Sequence, residues 1–89
     1  MLIQSRGIAP TIDPSAYVAP SAVVCGDVTI GAESRVLHGA ILTAEDGPVT
    51  VGDRVVVMEN AVIKGRRAHP ASIGDHVLVG PHAHLNGAT

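Results

Sequence analysis

The sequence predicts an all-β chain wound as a three-sided parallel β-helix of hexapeptide repeats, with three hexapeptides to a coil. Three observations predict it. Aliphatic residues return at every sixth position. The chain is 46% hydrophobic yet has one aromatic residue. Two interruptions of the period fall at the same place in successive coils.

The period comes first. Ile12, Val18, Val24, Ile30, Val36 and Leu42 stand six apart, followed by Val51, Val57 and Ile63, then by Ile73, Val79 and Leu85, making twelve hexapeptides. With the aliphatic residue as position one, position five is mostly small or β-branched: Ala16, Ala22, Val28, Ser34, Ala40, Val55, Ala61, Val77, Ala83 and Thr89. Asp46 and Arg67 are the exceptions. Side chains alternate across a strand, so positions five and one point inward while six and two point out. A small inward residue suits a corner and a branched one fills the middle of a side.

Composition agrees. Phe and Trp are absent and Tyr17 is the lone aromatic, so the core is built from layers of Val, Ile, Leu and Ala. Such a core suits a repetitive β structure. The 89 residues make one domain, with 1–11 as a lead-in and 12–89 as coils.

The interruptions complete the case. Coil one is 12–29, coil two 30–50, coil three 51–72, and coil four begins at 73. Both interruptions, 46–50 and 66–72, then lie in the third hexapeptide and should protrude from one corner. Gly39 and Asn60 share a corner column where a left-handed backbone angle is expected. A β-sandwich does not keep a strict six-residue phase. Coil four is incomplete, which leaves an exposed strand edge and suggests the front portion of a longer chain.

Charge and punctuation exclude several function classes. The net charge is −2, and no basic run with interleaved aromatics suggests nucleic acid. Lys64, Arg66 and Arg67 read as a solvated loop. Cys25 is the only cysteine, so no internal disulfide forms. No apolar run approaches a membrane span, and Met1 to Gly7 lack the apolar stretch of a signal peptide. A cytoplasmic protein with no membrane partner is expected.

Longer motifs carry a family resemblance. The run from Ile12 to Gly31 resembles the opening coils of γ-class carbonic anhydrases. Ala40 to Gly52 aligns with that family's AVLRGDxxPIxIG segment, Val57 to Lys64 with VQDxxVIH, and Ile73 to Gly87 with IGDxVTIGHxAxLHG. The resemblance covers nearly the whole chain but only the front of a typical member. It implies a left-handed β-helix, against the usual right-handed crossover. It also implies a homotrimer with zinc between subunits, held by two histidines of one subunit and one of its neighbour. Those positions are here Lys64, Asn86 and Pro81. The family's active-site glutamine falls on Met58 and its interface arginine on Thr43, while two acidic positions survive as Glu45 and Glu59. Transferred residue by residue, the usual metal site is absent.

Other histidines lie near the lost ligands. His84 should point out beside Asn86, His82 follows Pro81 at the corner, and His69 lies on the second interruption. His69 and His84 of one subunit with His82 of the next would make a displaced three-imidazole zinc site. In the enzymatic reading, zinc there activates water for carbon dioxide hydration and Glu45 shuttles the proton. The plain alternative is surface histidines on a polar face. Two other functions compete. In a non-catalytic scaffold, Lys64 takes the cation position and pairs with Glu45 or Glu59 across an interface. In an acyltransferase using coenzyme A thioesters, His82 or His84 serves as base.

Assembly is the final expectation. Val23, Ile41, Val62 and His84 should stack in one outward column, bordered by Cys25, Thr43, Lys64 and Asn86. An apolar strip with a polar border suits a subunit contact, and with the family it predicts a homotrimer through Val23, Ile41 and Val62.

Overall fold

The computed structural model describes residues 1–67 and 70–87, and the side chains of Glu45 and Asp46 lie outside that description. Eleven strands follow one another among the described residues: β1 (Leu2–Ile3), β2 (Thr11–Ile12), β3 (Tyr17–Val18), β4 (Val23–Ile30), β5 (Arg35–Val36), β6 (Ile41–Val51), β7 (Val56–Val57), β8 (Val62–Lys64), β9 (Ala71–Ile73), β10 (Leu78–Val79) and β11 (His84–Asn86). All their pairings are parallel.

The register is that of a coil. Ile12 pairs with Ile30, Ile30 with Val51 and Val51 with Ile73, so position one of each coil lies on position one of the next. These pairs mark the first face. The second face is the four-stranded sheet β3-β5-β7-β10. The third face runs β1-β4-β6-β8-β11. β4 and β6 are long because each bends around a corner and serves two faces. β1 lies on Val24 and Cys25, so the lead-in adds a strand below the first coil on the third face.

Inward columns form the core. Val24, Leu42 and Ile63 are stacked and fully buried, as are Val36 and Val57, and Ile30 and Val51. Each such side chain contributes about 1.5–3 kcal/mol by leaving water. Ser34 is the one buried polar residue among those described, and it is satisfied: its Oγ donates to Gly52 O at 2.6 Å and accepts from Val55 N–H at 3.0 Å. The end layers are less covered, with Ile12 and Val18 half-buried at one end and Leu85 at the other.

The structure moves the ends of the two interruptions. Val49 pairs with Val28, and Ala71 with Val49. Both are buried, so Val49 and Ala71 hold inward position five, not Asp46 and Arg67. Counting six from the previous repeat misses this, because the extra residues enter before the inward residue. The insertion in coil two enters at the register shift opposite Gly26–Val28, and both insertions leave from the corner joining the third face to the first.

The other corners explain the glycines. Gly39 has φ +72°, and Asn60 and His82 above it have φ +60° and +59°. A second left-handed column, Glu33, Arg54 and His76, has φ of 56°, 52° and 59°. Its neighbours form a ladder in which Asp53 Oδ1 accepts from Ala32 N–H and Asp75 Oδ1 from Asp53 N–H, each at 2.8 Å. A Cβ on Gly31 would fall against Asp53 Oδ1 and lie 2.6 Å from Gly52 O, so the ladder requires glycine there.

Candidate functional site

The third face and its corner with the second carry the candidate residues. On β4, β6, β8 and β11 the outward residues run in register: Val23 on Ile41, Ile41 on Val62, Val62 on His84. Beside them Cys25 lies on Thr43, Thr43 on Lys64, and Lys64 on Asn86. Val23 and Val62 are half-buried and Ile41 is 38% exposed, so the apolar strip faces solvent in the single chain. Cys25 is half-buried and unbridged.

The corner before this face is a column of Pro20, His38, Glu59 and Pro81. Asn60 N–H donates to His38 O and His82 N–H to Glu59 O, each at 3.0 Å, which fixes the stacking. His38 Nδ1 lies 3.2 Å from Ser21 Oγ, which also accepts from Gly39 N–H at 3.1 Å. Ser15 does the same for Glu33 N–H at the preceding corner, so Ser21 serves the turn.

The positions that the resemblance assigns to metal ligands can be judged by their donors. Lys64 and Asn86 sit side by side on β8 and β11. Asn86 Oδ1 accepts from Arg66 Nε at 2.7 Å, so the amide oxygen is already engaged. Lys64 is an exposed ammonium, and Pro81 offers no side-chain donor. A divalent cation needs lone pairs, and this set presents an ammonium, an engaged amide oxygen and no side-chain donor atom at Pro81. These three positions do not fit zinc.

The displaced candidates fare as follows. His84 is exposed on β11, outward and in register with Val62, as its position in the repeat requires. His82 is exposed at the left-handed corner two residues earlier. His69 lies outside the described residues, as does the side chain of Glu45. Among the described residues no group of three His, Cys, Asp or Glu is gathered to hold a metal ion. A shallow cleft of about 160 Å³ lies elsewhere, between Ser5, Arg6 and Ile8 of the lead-in and Asp27, Ala44 and Pro48.

Arg66 is the residue that sequence reasoning missed. Read as part of a solvated basic loop, it is exposed and in addition donates through Nε to Asn86 Oδ1 across a coil.

The fold and this face define a parallel hexapeptide-repeat β-helix, and comparison with known proteins refines that class. No protein-family model matches the chain. It is 38% identical over 87 residues to gamma carbonic anhydrase 1, mitochondrial, of Arabidopsis thaliana, covering 91% of this chain and 32% of that protein. It is 30% identical over 88 residues to a carbonic anhydrase of Geobacillus kaustophilus, covering 99% of this chain and 48% of that one. Among solved structures, a putative acetyltransferase of Bacillus cereus matches with a TM-score of 0.94 at 27% identity, covering 97% of this chain and 50% of that chain. The chain thus spans a third to a half of the length of these relatives. Its coil is that of the left-handed β-helix of hexapeptide transferases. Within that class it is a γ-carbonic-anhydrase-like β-helix protein.

Proposed function

We propose that this chain is a non-catalytic γ-carbonic-anhydrase-like subunit that works by assembly, as a homotrimer packed through Val23, Ile41 and Val62. The observation that carries the reading is the chemistry at the positions equivalent to metal ligands. An ammonium at Lys64, an Asn86 amide whose oxygen accepts from Arg66 Nε, and a proline at 81 stand where a metal needs free lone pairs. The solvent-facing aliphatic strip beside them supports the assembly half of the proposal, since a contiguous apolar strip with a polar border is what a subunit contact buries.

The test is purification without chelator, followed by metal analysis, a carbon dioxide hydration assay and light scattering at micromolar concentration. The expected result is a particle of three chains, zinc well below one per chain, and hydration no faster than buffer. Stoichiometric zinc or a monomer overturns the proposal.

A second reading is favoured by one observation: His84 points out beside Asn86, with His82 two residues away. It makes the chain a metalloprotein with displaced ligands, His69, His82 and His84, shared between subunits. Stoichiometric zinc that is lost in His84→Ala would establish it. An acyltransferase reading draws on the putative acetyltransferase of similar fold, and a thermal shift with acetyl-coenzyme A would support it.

A further inference from the structure

Lys64 and Glu59 stand on opposite borders of the apolar strip, both on coil three. Glu59 sits at the corner before β8, Lys64 at its end, and Val62 lies between them facing out. Both charged side chains are exposed, and neither has a side-chain partner among the described residues. Within one chain they are separated by the width of the strip.

Symmetry decides what each meets when the strip is covered. In a ring of like subunits the contact is heterologous, so one border of a copy meets the opposite border of the next. Rotation about an axis parallel to the solenoid keeps every coil at its own height. Coil three therefore faces coil three, and the carboxylate border of one copy meets the ammonium border of its neighbour. A two-fold axis across the solenoid would reverse the coil order and lay each border on the same border of the copy, so the carboxylate border would not meet the ammonium border.

We infer that Lys64 binds the Glu59 carboxylate of a neighbouring copy and stands where a metal ion would otherwise join the subunits. This rests on the trimer proposed above and adds its specificity. Asn86, whose Oδ1 accepts from Arg66 Nε at 2.7 Å, lies beside Lys64 on the next coil and extends the polar border. The contact is then a charge-assisted cluster of protein groups, indifferent to chelators and weakened by salt.

Charge exchange tests it. Lys64→Glu and Glu59→Lys are each made alone and then together in the full chain, with far-UV circular dichroism to verify folding and sedimentation to read assembly. Each single variant should weaken the trimer about tenfold per contact, on the order of 10³ in its dissociation constant over three equivalent contacts, and the double variant should recover most of it. A chelator should leave the wild-type trimer unchanged. Trimeric single variants, or a double variant no better than the singles, overturn the charge pair while leaving the trimer standing. A monomeric wild type overturns the trimer itself.

Discussion

Ser34→Ala separates a reading of the repeat from a reading of the structure. By pattern, position five accepts Ala, as at Ala16, and a buried serine looks like a polar residue worth removing. The structure says otherwise. Ser34 Oγ donates to Gly52 O at 2.6 Å, which is partly buried, and receives Val55 N–H at 3.0 Å in the buried interior. Alanine leaves the buried Val55 N–H without a partner. A buried donor or acceptor left unsatisfied costs about 1–3 kcal/mol, and the transfer of a slightly more apolar methyl offsets only part of it. A net loss of about 2 kcal/mol is expected. For a domain of this size that lowers Tm by roughly 8–16 °C. Urea unfolding followed by circular dichroism, at fixed protein concentration because the proposed assembly would add to stability, measures it. A loss below about 0.5 kcal/mol would refute the claim that this hydrogen-bonded pair matters more than the repeat pattern.

Four further outcomes follow from the same structure. Ile41→Asp with Val62→Asp places charges on the exposed strip without touching the core, and should turn the proposed trimer into monomers by light scattering. Ile63→Ala empties a fully buried site and should cost about 2–5 kcal/mol in urea unfolding. Lys64→His, Pro81→His and Asn86→His together place lone pairs at the ligand-equivalent positions, and should give zinc binding by calorimetry tighter than that of the wild type. The Asp13 carboxyl, which accepts from Ser15 N–H and Oγ, is held below the usual carboxylate range. Its small contribution is therefore present above the unfolded value and fades as pH falls through the folded one. NMR titration should show its pKa rising toward normal in Ser15→Ala.

The coil was legible because its signal is repeated: each aliphatic residue from Ile12 to Leu85 votes for the same phase, and neighbouring coils pair in that phase. The left-handed corner at Gly39 and Asn60 was legible for the same reason, since both residue types tolerate positive φ. The column Glu33, Arg54 and His76 was not, because no residue there advertises the angle. What holds it is the aspartate ladder one position earlier. The inward roles of Val49 and Ala71 were hidden because an insertion shifts the count, and only strand pairing shows where the phase resumes. At the candidate site, sequence placed Lys64, Asn86, His82 and His84 in their columns. It could not show the Arg66 hydrogen bond, which joins residues a coil apart.

The constant register between coils makes this molecule intolerant of some changes in length and indifferent to others. Losing one residue within a strand would turn that side inside out. Losing six would keep every aliphatic residue inward but carry each later residue around to the next face, separating Lys64 from Ile41 while the core stayed filled. Only a whole coil can be lost or gained with faces and core both intact, apart from residues added at the one corner where both insertions already leave the stack. The length of such a protein is quantised, and its surface chemistry depends on the arithmetic of the count as much as on which residues are counted.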